Sequence, residues 1–124
     1  MSRDLLSVEP GLTLTEVAQR MVDKDVGAVL VMEGERLVGI LTERDVLRAV
    51  ARGIDDGTTA ADWMTRDPET LEPDESTEHA AVLMIHGGFR HLPVTENDEV
   101  VGMLSIRDLM RIVLEDAVPR GAYR

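Results

Sequence analysis

Gly39-Ile40-Leu41-Thr42-Glu43-Arg44-Asp45 and Gly102-Met103-Leu104-Ser105-Ile106-Arg107-Asp108 are one phrase written twice, 63 residues apart. At that offset the match runs outward without a gap, from Val8 to Arg48 against Leu71 to Arg111. Twelve of the 41 aligned positions are identical, among them Pro10/Pro73, Met21/Met84, Gly39/Gly102 and Asp45/Asp108. Average residue usage would give roughly two or three by chance. The chain is therefore two copies of one unit, each too small to bury a good core alone, and the halves are expected to pack on each other.

Hydrophobic periodicity changes along each copy. A short extended stretch ends at Pro10 or Pro73. Thr13 then reads as a helix cap, with Glu16 closing a capping box, and Ser76 caps the second copy. Leu14, Val17, Ala18 and Met21 form a helical stripe to about Lys24. Apolar runs at 28–32 and 37–41, and again at 91–95 and 100–104, flank short polar turns and predict hairpins. Thr42 or Ser105 then opens a second helix, whose apolar positions include Val46, Leu47, Val50 and Leu109, Met110, Val113. The fold class expected is α/β (α+β), two β-α-β-β-α repeats. The boundaries expected are repeat one at 1–54, a linker with a short helical turn at 55–68, repeat two at 69–118 and a frayed tail at 119–124.

Composition removes several function classes. Acidic residues exceed basic ones by 24 to 13, a formal charge of −11. That argues against non-specific nucleic-acid binding and docking on anionic membranes, both of which rely on Lys and Arg. No cysteine is present, so disulfides, thiolate zinc sites and a cysteine nucleophile are excluded. No apolar run approaches the roughly 20 residues of a membrane span, and no signal-peptide core follows Met1-Ser2-Arg3-Asp4. A soluble, cytoplasmic protein is expected. Lys24 is the one lysine, which suits a salt-adapted host or an arginine-biased genome equally. With Trp63, Phe89 and Tyr123 as the three aromatics, the core must be aliphatic, and Met21, Met84, Met103 and Met110 read as core filler.

The order of these segments resembles a tandem pair of cystathionine β-synthase (CBS) domains over residues 7–116. The segments that carry the resemblance are Asp25 to Val31, Gly39 to Asp45, Ala61-Asp62-Trp63-Met64-Thr65, Phe89 to Val94 and Gly102 to Asp108. The resemblance implies an intertwined pair, commonly a flat homodimer of two pairs. It implies regulation by adenine-containing ligands in clefts between repeats, with a signal passed to a protein target that the residues do not name. It does not imply catalysis or a required cofactor.

The chemistry centres on the Thr/Ser-x-x-Asp step. A hydroxyl and unpaired backbone N–H groups at a helix start suit phosphate, and a carboxylate can accept from both hydroxyls of a ribose. The same spacing is also a plain helix cap. Arg44 and Arg107 sit in the first helical turn, where the helix dipole disfavours a cation and a phosphate would offset it. In the resembled family the Asp (Asp45, Asp108) holds ribose and the hydroxyl (Thr42, Ser105) lies near phosphate. Basic residues before the strand (Arg90, His91) reach phosphate there, and the apolar-Pro step (Leu92, Pro93) lines the base. The opening segments, at Val8 and at Thr70-Leu71, form the edges. Repeat one has Gly27-Ala28-Val29-Leu30 where repeat two has Arg90-His91-Leu92-Pro93, so the second site is expected to be the stronger, and the first either degenerate or suited to a ligand with less phosphate. AMP-like ligands are favoured over a triphosphate, which set against −11 needs more local arginine or Mg²⁺; AMP, ADP, ATP and S-adenosylmethionine are the candidate regulatory ligands.

A ligand-free dimerisation scaffold is favoured by the missing cations and proline of repeat one. An enzyme would need turnover that depends on His91, and no nucleophile–base pairing is visible. A histidine metal site is disfavoured because His79 and His86 lie two turns, about 10.5 Å, apart on one helix. Gly87-Gly88 lacks a following Lys-Ser/Thr and reads as a helix end.

Overall fold

The computed structural model describes residues 1 and 3–117; the tail expected at 119–124 lies outside them. The elements run β1 (Ser7–Val8), α1 (Leu14–Lys24), β2 (Ala28–Glu33), β3 (Arg36–Thr42), α2 (Glu43–Arg52), α3 (Ala60–Trp63), β4 (Thr65–Arg66), α4 (Thr77–Gly87), β5 (His91–Glu96), β6 (Glu99–Ser105) and α5 (Ile106–Ala117). They fall into two compact units. One is Asp4–Pro68; the other joins Met1–Arg3 to the chain from Glu69 onward.

The mixed α+β class and the doubled β-α-β-β-α order are as the sequence predicts. In the first unit β1 runs parallel to β2, β2 and β3 form an antiparallel hairpin, and β4 adds to the far edge of β3. The second unit has the β5–β6 hairpin, with Leu71 bridged in parallel to Val94 where β1 would lie. The hairpins share an irregularity at the same place, between Val31 and Met32 and between Val94 and Thr95. The turns between strands use left-handed residues, Gly34 in one and Asn97-Asp98 in the other, as two-residue hairpin loops require.

Helix ends follow from residue chemistry. Thr13 Oγ1 accepts from the Glu16 N–H at 3.3 Å. The Glu16 carboxylate takes Arg20 Nε at 3.2 Å instead of closing the box predicted for it, because an i,i+4 cation is in easy reach. Helices α1 and α4 stop at equivalent left-handed residues, Asp25 (φ 55°) and Gly88 (φ 71°).

Each unit has its own core. Leu14, Val17, Met21, Val29, Val31, Leu41 and Ala49 fill the first, and Leu71, Ala80, Met84, Leu92, Val94 and Leu109 fill the second. Met103 is also buried, but Met110 is 58% exposed, correcting its reading as core filler. A helical stripe only says which residues share a face, not that the chain itself covers it. Val22, Leu47 and Val50 are likewise exposed, and each matches an exposed residue 63 positions on: Ile85, Met110 and Val113.

Gly39 is set by a close approach. A Cβ placed there would lie 2.5 Å from Met64 Sδ and 3.0 Å from the Thr65 carbonyl oxygen. Gly39→Val is therefore expected to cost about 1–3 kcal/mol in urea denaturation. Adding Met64→Ala should restore part of it, because the thioether can be removed and the backbone carbonyl cannot. A neutral Gly39→Val would refute the steric account.

Candidate functional site

Strand alternation sorts the predicted site residues onto two faces. Val29 and Val31, with Leu92 and Val94, point into the cores. Ala28, Leu30, Ile40 and Thr42 therefore share the opposite face of the first hairpin, and His91, Pro93, Met103 and Ser105 that of the second. Register makes direct pairs of Ala28 with Thr42 and His91 with Ser105. Leu30, Ile40, Pro93 and Met103 are buried although none belongs to either core cluster. Ile40, and Met103 in place of its expected role as core filler, floor this face beside Leu30 and Pro93.

Val8, Leu71 and Leu92 are placed differently. Their side chains are buried in the cores, and their part is to hold the opening segment against the hairpin. The Leu71 N–H donates to the Pro93 carbonyl at 2.9 Å, and the Thr95 N–H donates to the Leu71 carbonyl at 2.7 Å. Thr70, next in line, is exposed. In the first unit the Leu30 N–H donates to the Leu6 carbonyl at 2.9 Å.

The strand start and the helix start are tied together in each unit. The Ile106 N–H donates to the Arg90 carbonyl at 2.8 Å, and the Glu43 N–H to the Gly27 carbonyl at 2.9 Å. Arg90 and His91 are thereby brought to the mouth of α5 beside Ser105 and Asp108. Arg44 and Arg107 are exposed on the first helical turns.

The capping reading of Thr/Ser-x-x-Asp is realised in both copies. The Thr42 N–H donates to Asp45 Oδ2 at 2.9 Å, the Thr42 hydroxyl to the same oxygen at 3.1 Å, and the Asp45 N–H returns to Thr42 Oγ1 at 3.4 Å. In the second copy the Ser105 N–H donates to Asp108 Oδ2 at 3.0 Å, and the Asp108 N–H to Ser105 Oγ at 3.1 Å. Each box uses Oδ2 and leaves Oδ1 outside the capping bonds.

Asp108 lies between positive groups. The Met1 ammonium is 4.0 Å from its Oδ2, and Arg111 Nη1 is 4.0 Å from its Oδ1. Partial burial opposes ionisation, but the Ser105 N–H and hydroxyl, the Met1 ammonium and Arg111 outweigh it, and the carboxyl is held below its ordinary 3.8. A depressed carboxyl stabilises the fold above its unfolded value and loses that contribution as pH falls through the folded one. Asp108→Asn should therefore lower thermal stability at pH 7 and flatten the acid limb, the two proteins converging as pH falls below about 4. An acid limb identical in both proteins would contradict this.

A CBS domain model matches residues 1–52 and 60–115. The chain belongs to the CBS domain family. An uncharacterised 17.7 kDa protein of Acidianus ambivalens is 37% identical over 87% of this chain. The chain spans 66% of that relative's length, and 42% of a Methanocaldococcus jannaschii protein 30% identical to it. Among solved structures, a putative signal-transduction protein with CBS domains from Burkholderia ambifaria superposes with a TM-score of 0.86, at 31% identity over 98% of this chain and 90% of that one. A CBS domain protein from Pyrobaculum aerophilum, complexed with AMP, gives 0.82 at 34% identity, covering 94% of each chain.

The 63-residue offset also matches residues before Val8. At the same 63-residue offset Met1-Ser2-Arg3-Asp4 matches Met64-Thr65-Arg66-Asp67. The structure uses both segments alike. Met64 lies over Gly39, and a Cβ on Gly102 would lie 2.5 Å from Met1 Sδ. Thr65 and Arg66 pair with Ile40 and Gly39, and Arg3 Nη1 donates to the Val101 carbonyl at 3.4 Å. No described helix of this CBS protein is long and apolar enough to cross a membrane.

Proposed function

We propose that this CBS pair is a regulatory module that binds an adenine nucleotide, AMP-like at the second site, and passes the binding event to a protein partner. The observation that carries this is the second-site corner. The Ser105–Asp108 box opens α5 next to Arg90 and His91, through the Ile106 N–H bond to the Arg90 carbonyl. Asp108 would take the ribose hydroxyls. Ser105, Arg90, His91 and Arg107 would face phosphate, and Pro93 and Met103 offer an apolar floor for the base. The AMP complex of the Pyrobaculum protein supports the ligand class. Thr42, Asp45, Arg44 and Leu30 form the corresponding first site, without Arg90, His91 or Pro93. No chemical step is assigned to the module: it works by differential affinity for its own states.

The test is a thermal-shift titration with AMP, ADP, ATP, S-adenosylmethionine and NAD, confirmed by calorimetry. A ligand at 100 times its Kd should add about 2.7 kcal/mol. A flat response across the panel would refute the proposal.

A second copy of the chain is the partner favoured by the helices. Val22, Leu47 and Val50 in one unit, and Ile85, Met110 and Val113 in the other, stand exposed at matching positions. Exposed apolar residues that recur by repeat symmetry mark a covered face. The same faces support the alternative, a dimerisation scaffold that has lost its ligand. Ile85→Glu with Met110→Glu should convert a dimer to a monomer in equilibrium sedimentation. A wild-type chain that is monomeric at high concentration would remove both dimer readings.

A further inference from the structure

We propose that the two sites sort adenine ligands by charge, and that Glu43 is the residue that turns phosphate away from the first. This rests on the nucleotide reading above. The units build the same corner with opposite chemistry. In each, the first helical residue donates its N–H to the carbonyl of the residue before the strand. That pair is Glu43 with Gly27 in the first unit and Ile106 with Arg90 in the second. The Glu43 side chain folds back over the glycine. A Cβ on Gly27 would lie 3.4 Å from Glu43 Cδ and Oε1 and 3.5 Å from Oε2. The first corner thus holds a carboxylate beside Gly27, the position that Arg90 occupies in the second.

Arg44 and Arg107, and Asp45 and Asp108, are common to both corners and cancel. What remains is the Glu43 carboxylate at the first site, and at the second the Arg90 guanidinium and the Met1 ammonium beside Asp108. A carboxylate about 7 Å from a phosphate dianion in a water-like medium weakens binding by roughly sevenfold to tenfold, less as salt rises. The first site therefore takes an adenosyl ligand that is neutral or cationic beyond the ribose, and the second takes the phosphorylated one.

The full-length chain can be read one site at a time by calorimetry at low salt, with AMP and adenosine as probes. In Asp108→Ala, which leaves the first site, adenosine should bind at least as tightly as AMP. Adding Glu43→Gln should move the AMP-to-adenosine ratio about tenfold toward AMP. In Asp45→Ala, which leaves the second site, AMP should be preferred, and Glu43→Gln should move the ratio less than twofold. Asp108→Asn, which keeps a cap acceptor, replaces Asp108→Ala if the latter does not fold. The proposal is overturned if the first site prefers AMP, if Glu43→Gln leaves its ratio unchanged, or if it binds neither probe. Binding of neither probe by the wild-type chain would instead overturn the nucleotide reading beneath it.

Discussion

Asp108→Ala should weaken AMP binding at the second site by about 30-fold or more while lowering the melting temperature only modestly. The two effects have separate physical sources. Hydrogen bonds to a charged group contribute about 1.5–3 kcal/mol each, so losing the ribose acceptor removes one to two orders of magnitude in affinity. Loss of a helix cap costs about 1 kcal/mol, a few degrees for a chain of this size. Ser105→Ala separates them further. It removes the hydroxyl that accepts from the Asp108 N–H at 3.1 Å and leaves the carboxylate, so it should cost stability and keep most ribose affinity. An Asp108→Ala protein that binds AMP normally would reduce the Ser-x-x-Asp step to a cap alone.

The largest stability loss is expected from Leu41→Ala. Leu41 is fully buried between strand and helix residues of the first core. Truncating such a leucine costs about 2–5 kcal/mol, a large share of the 5–15 kcal/mol that holds a typical domain together. Its repeat counterpart, Leu104, is half-buried, and Leu104→Ala should cost less. Leu47→Ala, at a side chain 70% exposed, should stay within about 0.5 kcal/mol in the monomer. Urea midpoints that rank these three in another order would show that burial within the isolated unit does not govern the stability of this fold.

The repeat and its hairpins were legible because period-two patterning and the 63-residue offset speak independently of tertiary contacts. Both capping boxes at Thr42 and Ser105 were legible for the same reason: a cap is local chemistry. What the chain packs against was not. Strand β4 is two exposed residues, Thr65 and Arg66, with no alternation to reveal it, and only the edge of β3 makes it a strand. Leu47 and Met110 sit on helical stripes that read alike whether the chain covers them or leaves them bare. Val8, Leu71 and Leu92 were placed at the site by resemblance, and strand parity sends their side chains into the cores instead. Glu43 was passed over because its meaning depends on a glycine sixteen positions earlier, which only the strand-to-helix bond brings beside it.

The twin Met-x-Arg-Asp segments have a kinetic consequence. Met64-Thr65-Arg66 closes on the strand that carries Gly39, and Met1 and Arg3 close on the strand that carries Gly102. Each key is nearly a copy of the other, and so is each lock. A refolding chain must choose between two look-alike pairings, and at high concentration a crossed pairing is open to a neighbouring molecule as well. Exchange of identical elements is a low-cost route to swapped assemblies, and misassembly of this kind is a characteristic failure of repeat proteins. The duplication that doubled the strand-to-helix corners also wrote an ambiguity into the folding of the chain.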